Sequence, residues 1–403
     1  SRYASGLLLR APEAVQMLAD DDELEPRGRE ALVVEALSAA RRHDDPEVAV
    51  GAVRALRRRE LFRTAAAELF GVAEVDDAGV ALSDIAAAAI TGALEIATRA
   101  VEARRGGPLP TRLLVVAMGR FGGGELGFAS DADVMFVHDP LPGADERDAH
   151  QAALAVAEEL RRLLMVPSPD PALEVDADLR PEGRNGPLVR TLASYAAYYQ
   201  RWSSAWEAQA LLRAEPVAGD LEVGERFVAV IDPLRYPEGG VAENDVREIR
   251  RLKARMEAER LPRGADPGLH TKLGRGGLSD VEWVAQLLAL RHGHEVAGLR
   301  TTRTLPALAA AVQADLLAEE DAAALASAWR IATRVRDAVM LVRGTSSDMV
   351  PTDARDLAAV GYVLGYRTGE SGTLLDDYRR ITRRARAVVE RVFYGDGGLD
   401  KPS

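Results

Sequence analysis

Apolar positions along this chain follow two rhythms. Through residues 1–108, and again from about Asp245 onward, they recur at helical spacing with charged residues between them. The stretch between carries the second rhythm. Leu113–Ala117 and Val134–Val137 are short unbroken apolar runs bounded by glycine or turn residues, which reads as two buried strands. Leu173–Arg180 alternates without exception. Leu173, Val175, Ala177 and Leu179 share one face, and Glu174, Asp176, Asp178 and Arg180 the other, the pattern of a half-buried strand. Asp139-Pro140 to Gly143 reads as a turn. Asp148–Leu164 is amphipathic and helical, ended by Pro167, Pro169 and Pro171.

Capping signals divide the helical regions. Pro12-Glu13 and Asp45-Pro46-Glu47 start helices, since proline is tolerated in a first turn. Asp76-Asp77-Ala78-Gly79 is expected to break the pattern, with Ser83-Asp84 capping a helix through Ala100. Gly106-Gly107-Pro108 marks a boundary. Arg57-Arg58-Arg59-Glu60 is expected to be a solvated helix face. Further on, helices are expected over 243–261, 279–292, 302–315, 319–343, 353–365 and 370–394, the second opened by a Ser279-x-x-Glu282 capping box. Tyr199, Trp202 and Trp206 read as core packing, and His292 and His294 as surface residues. The expected organisation is α+β: helices over 1–108, a sheet-bearing domain over 109–236, a helical bundle over 237–394 and a disordered tail over 395–403.

Composition narrows the function. The 403 residues carry 51 Lys and Arg against 63 Asp and Glu, a net charge of −12, and only 5% aromatics. That balance argues against nonspecific binding to nucleic acid or to an anionic membrane. With no cysteine, disulfides and thiolate metal sites are excluded. No apolar stretch is expected to approach the roughly 20 residues that span a bilayer, and SRYASG shows no signal-peptide pattern. The expectation is a soluble, cytoplasmic chain, and whether it is a piece of something larger is left open by the sequence.

Candidate chemistry concentrates between the first two strands. Gly119, Gly122, Gly123 and Gly124 let backbone approach a ligand closely. Ser130-Asp131-Ala132-Asp133 follows. Asp131 and Asp133 are two apart at the start of a strand, so both carboxylates share a face. Two carboxylates held together repel unless a cation or a shared proton lies between them. Hard oxygen ligands of this kind suit Mg²⁺ together with substrate phosphates. The acidic face of the third strand, Glu174, Asp176 and Asp178, is the natural source of a third ligand.

These residues carry a resemblance. Gly119–Gly127 followed by Ser130–Asp133, Val175–Gly183, Ala205–Ala214, Lys272 and Gly276–Trp283 are similar to the ordered motifs of the glutamine synthetase adenylyltransferases, nucleotidyltransferases of the DNA-polymerase-β type. The resemblance implies a polymerase-β-type sheet domain and Mg²⁺-dependent transfer of AMP from ATP to a tyrosine of glutamine synthetase, releasing pyrophosphate. It implies two Mg²⁺ ions on Asp131, Asp133 and Asp176. Gly119, Gly122, Gly123, Ser130 and Arg180 would hold phosphates, and Lys272 is a further candidate for reaching them. One departure stands out: Asp178 occupies the position, two after the third aspartate, where the family usually shows arginine. Asp178 could join the metal site or pair with Arg180. Family enzymes carry a deadenylylating and an adenylylating unit, and this chain looks closer to the second. A deadenylylating unit acting by phosphorolysis and a silent regulatory module are the alternatives. Glutamine synthetase is the implied protein partner, with a PII-type signal protein as a possible second.

Overall fold

The computed structural model describes residues 1–202 and 204–395. The expected disordered tail falls, apart from Gly395, outside the described residues, as does the side chain of Trp202. The chain is α+β and forms two compact units. One comprises residues 6–203 and 213–234. The other comprises 1–5, 204–212 and the chain from Arg235 onward.

The first unit contains the sheet. Its strands are β1 (Thr111–Ala117), β2 (Ala132–Pro140), β3 (Val175–Asp176), β4 (Val189–Thr191) and β5 (Glu215–Gly219). β1 lies between antiparallel partners β2 and β5, while β3 and β4 both pair parallel to β2 at different heights. The interior of β1 and β2 is buried without interruption from Leu113 to Ala117 and from Val134 to Val137, as expected of unbroken apolar runs. β2 runs on through Asp139 and Pro140, so the turn starts later than expected and closes where the Ala144 amide donates to Leu141 O at 3.0 Å. The third strand is a larger correction. Of the eight alternating residues, only Val175 and Asp176 form a ladder, and Asp178 already lies in a turn. Leu173, Val175 and Ala177 are buried as the alternation requires, but Leu179 is not. Alternation reports which side faces the core; it does not require a neighbour to pair with.

Helices Arg29–Ala40, Pro46–Phe70, Val75–Arg105 and Glu146–Met165 complete this unit, the third of them packing on the other three. Val75–Arg105 overturns two expectations. Asp76–Gly79 does not break it, and Ser83-Asp84 lies inside it rather than at its cap. Asp76 and Asp77 sit in the first turn, where acidic side chains favour the positive end of the helix dipole. Gly79 keeps room for Glu125 Cα, 3.3 Å from where a Cβ would stand. The Ser83 hydroxyl donates to Gly79 O at 2.8 Å and accepts from the Leu126 amide at 3.2 Å. By length and composition this helix could also cross a membrane, contrary to the expectation that no stretch could. Its most apolar 18-residue window is 83% buried within the protein, as in the core helix of a helical layer. Ala86–Ala89, Gly92, Ala93 and Ala97 let its neighbours approach, and a Cβ on Gly92 would stand only 2.9 Å from Val53 Cγ2.

Arg57–Glu60 is not the solvated face expected of a charge run. Arg57 and Glu60 are buried. Arg57 donates to the carbonyls of Pro171 and Ala172 at 3.1 and 3.2 Å, Arg58 pairs with Asp170, and Arg59 reaches Glu35 at 2.9 Å. The proline-rich segment after Met165 offers carbonyls without matching N–H groups, and the arginines supply the missing donors.

The second unit is the helical bundle. Glu243–Arg260, Leu278–His292, Thr304–Gln313, Glu319–Arg343, Ala354–Val363 and Ser371–Val389 follow the expected spans closely, and Glu390–Tyr394 adds a π-helical turn. Val281, Val284, Leu325, Val335, Leu374 and Tyr378 lie in its core. The Ser279–Glu282 capping box is absent. Gly277 is the N-cap and Ser279 is buried in the first turn, while the Gly276 amide donates to Asp280 Oδ2 at 2.6 Å. A capping box does occur at Ser204 and Glu207, opening the helix Ala205–Leu211. Tyr199 is buried in the sheet-bearing unit and Trp206 half-buried in the bundle. His292 sits 3.2 Å from Glu295, and both it and His294 are partly exposed.

Candidate functional site

The parallel pairing of β2 with β3 builds the site. Register places Asp133 opposite Asp176, and the Ala132 amide donates to Glu174 O at 2.9 Å. Asp131 stands one residue before β2, two before Asp133. One ligand oxygen from each of Asp131, Asp133 and Asp176 lies within 4.8 Å of the others. Asp131 is exposed, and the other two are half-buried. The separated acidic segments therefore converge. Three carboxylates this close are a poor arrangement without a cation or proton, and their oxygens are hard donors of the kind divalent Mg²⁺ takes. The donor set fits that ion.

The glycine turn meets this cluster at its first residue. Gly119 has φ +53°, and a Cβ there would collide with Asp133 Oδ2. Glycine at this position lets the Asp133 carboxylate lie against the backbone. Gly122 and Gly123 do other work than the expected phosphate cradle. Their amides donate within the turn, to Met118 O at 2.8 Å and Gly119 O at 3.1 Å, and both residues are buried. A Cβ on Gly122 would run into the carbonyls of Arg213 and Ala117, and one on Gly123 would stand 2.9 Å from the Arg213 guanidinium. These two glycines are needed for close packing against Arg213. Ser130 closes the turn before Asp131, its hydroxyl oxygen accepting from the Gly127 amide at 3.0 Å.

Arg180 is also placed differently from its expected phosphate contact. Its guanidinium donates to three carbonyls of its own loop: Ala177 O at 2.7 Å, Gly186 O at 3.1 Å and Arg184 O at 3.2 Å. It pins the 177–186 loop, as an arginine fork can do wherever carbonyls converge. Asp178 stands outside the carboxylate cluster. It pairs with Arg184 and lies 3.7 Å from Arg180, while its amide donates to Asp176 Oδ1 at 2.7 Å. The acidic residue in the place of the family's arginine thus serves Asp176 through its backbone. Lys272 is exposed and belongs to the helical unit, in the loop before Leu278–His292.

A buried pair was not legible as part of the site. Glu125 and Arg213 form an ion pair with both side chains under one-tenth exposed. Arg213 matched a family motif, but nothing in the sequence tied it to the far end of the glycine turn. Among the strands, His138 of β2 is buried, its Nδ1 3.1 Å from Thr111 Oγ1 and its ring 5.5 Å from that of His150. Burial, reinforced by His150, pushes the His138 imidazole down to about 4.

Known proteins match this chain over nearly its whole length. Residues 1–230 match glutamate-ammonia ligase adenylyltransferase, and residues 248–393 match PII-uridylyltransferase. A bifunctional glutamine synthetase adenylyltransferase/adenylyl-removing enzyme of Streptomyces coelicolor is 61% identical over 98% of this chain. Proteins of the same description from Nocardia farcinica and Mycobacterium tuberculosis are 54% and 50% identical, again over 98% of it. The chain spans about 40% of the length of these curated relatives. With more than half of its residues matched, the chain belongs to the glutamate-ammonia ligase adenylyltransferase family.

Proposed function

We propose that this chain is a nucleotidyltransferase unit that moves AMP from ATP onto a tyrosine of glutamine synthetase, releasing pyrophosphate and lowering that enzyme's activity. The observation that carries the reading is the convergence of Asp131, Asp133 and Asp176 from two separated segments. The β2–β3 pairing beside the glycine turn supports a polymerase-β-type arrangement, in which these three residues would hold two Mg²⁺ ions. Bound there, Mg²⁺ supplies charge neutralisation for the transferring phosphoryl group and acidifies the attacking phenol. Asp176 would accept the phenolic proton, with one oxygen kept in place by the Asp178 amide. The Ser130 hydroxyl, its oxygen already accepting from Gly127, would donate its proton to a phosphate oxygen.

The relatives' shared description names both adenylyl transfer and adenylyl removal. Phosphorolysis of adenylylated glutamine synthetase, with inorganic phosphate taking up AMP to give ADP, is therefore the second reading. The match of residues 248–393 to PII-uridylyltransferase makes a PII-type signal protein the partner to test beside glutamine synthetase.

Incubation with glutamine synthetase, Mg²⁺ and ATP labelled at the α-phosphate, followed by mapping of the labelled residue, tests the first reading. Label on a tyrosine is the expected result. Asp131→Asn and Asp133→Asn should abolish it while leaving the circular dichroism spectrum unchanged. Near-normal incorporation by either variant would overturn the assignment. Phosphate-dependent formation of ADP from the adenylylated protein, without forward incorporation, would favour the second reading.

A further inference from the structure

We infer that Glu125 and Arg213 are positioning residues for the cation-binding carboxylates, acting through the glycine turn whose first residue, Gly119, lies against Asp133. The inference rests on the proposed function and deepens it. Gly119–Glu125 is a single turn held at both ends. At its near end Gly119 lies against the Asp133 carboxylate, with no room for a side chain between them. At its far end Glu125 pairs with Arg213, which approaches from the residues leading into β5. Gly122 and Gly123 are packed on the Arg213 carbonyl and guanidinium, so Arg213 fills the space beneath the middle of the turn. Arg120 closes the turn on itself, its Nε donating to Glu125 O at 2.7 Å while its carbonyl accepts from the Glu125 amide at 2.9 Å. The Val75–Arg105 helix braces the same residue from the other side, through Gly79 against Glu125 Cα and Ser83 on the Leu126 amide.

The consequence for Asp133 is geometric. A carboxylate resting on a backbone turn goes where the turn goes, and ligand oxygens must be held to within about half an ångström for tight coordination. A buried ion pair contributes little net stability compared with an apolar pair of the same size, and its best-attested benefit is to specify one arrangement. Here the arrangement specified is the height of the turn under Asp133. Groups hydrogen-bonded directly to metal ligands typically change metal affinity by about 10–100-fold when altered, and residues acting one contact further out, as these do, belong at the low end of that range.

The test uses the full chain and Mn²⁺ as a spectroscopic substitute for Mg²⁺, with free ion counted by electron paramagnetic resonance. Three variants are titrated beside the unaltered protein, and each is melted. Arg213→Lys keeps the charge and loses the fork, Glu125→Gln removes one charge, and Val156→Ala truncates a buried side chain of the Glu146–Met165 helix as a stability control. Arg213→Lys and Glu125→Gln should weaken Mn²⁺ binding by about tenfold. Val156→Ala should lower the melting temperature and leave Mn²⁺ affinity as it was. Unchanged affinity in Arg213→Lys would overturn the inference and leave the proposed function standing. So would weakening that merely tracks melting temperature through all three variants. Should Glu125→Gln fail to fold, the comparison of Arg213→Lys with Val156→Ala decides alone. If the unaltered chain binds no Mn²⁺, the proposed function itself fails, a result separate from either of these.

Discussion

At the scale of single residues, the same residue type does opposite jobs a few positions apart. Gly119 leaves room for a carboxylate, whereas Gly122 and Gly123 leave room for an arginine. Histidine divides likewise. His292 shares the surface with Glu295, while His138 is buried in β2 with Nδ1 near Thr111 and, among the described residues, no hydrogen-bond partner for Nε2. That burial has a pH consequence. The folded chain holds the His138 imidazole at about 4, below its ordinary 6.5, so the unfolded chain takes up a proton first as pH falls. The stability this neutral imidazole contributes is complete above about pH 6.5, declines as pH falls from there, and is gone below about pH 4. Over that window the loss amounts to at most about 3 kcal/mol. Hydrogen-exchange protection of the β1 and β2 amides, followed from pH 7 to pH 4, reads this directly. His138→Gln should flatten the slope. A slope unchanged by the substitution would assign the acid limb to the carboxylates instead.

At the scale of elements, the 177–186 loop is where the roles of charged side chains part from their sequence pattern. Arg180 holds three carbonyls of this loop, and Asp178 within it donates its amide to Asp176. Arg180→Ala should therefore loosen the loop, raising amide exchange over 177–186 and weakening divalent-cation binding through Asp176. An arginine that contacted phosphate would behave differently: its removal would raise the KM for ATP and leave loop exchange unchanged. The two strands were legible because burial on both faces leaves an unbroken apolar run, and most of the bundle helices because their apolar positions recur at helical spacing between charged ones. Strand spacing also pointed to an acidic face of the third segment beside Asp131 and Asp133, but Asp176 was singled out within it by the family resemblance, and the cluster is formed by Asp176 rather than Asp178. What the pattern did not carry was the pairing partner. It could not show that Leu173–Arg180 meets β2 for only two residues, nor that Arg57 and Arg58 turn toward a proline-rich segment rather than water. The middle of Val75–Arg105 misled for a related reason. Ser83 reads as a cap because serine competes for backbone groups, yet inside the helix its hydroxyl bonds back to Gly79 O and receives a neighbouring segment.

At the scale of the whole molecule, the chain passes between its two units more often than its motifs imply. Residues 204–212 belong to the helical unit although the sheet-bearing unit resumes at Arg213. Leu212 lies in the bundle's core, Ala205 and Ala208 pack against that core, and Gln209 donates to Gln286 at 2.6 Å. The Ser204–Glu207 capping box gives this short helix a local start, but seven residues are too few to hold a helix in water without tertiary packing. Its order therefore depends on residues that come later in the chain. A fragment ending at Leu234 retains every strand and the three clustered carboxylates, and lacks the bundle that covers Ala205–Leu211. In such a fragment the amides of β1 and β2 should keep their protection from hydrogen exchange, while those of Ala205–Leu211 exchange as in an open chain. In the full chain both sets should be protected. Protection of Ala205–Leu211 in the shorter fragment would place that helix with the sheet. Loss of protection in β1 and β2 as well would show that the sheet needs the bundle in order to fold.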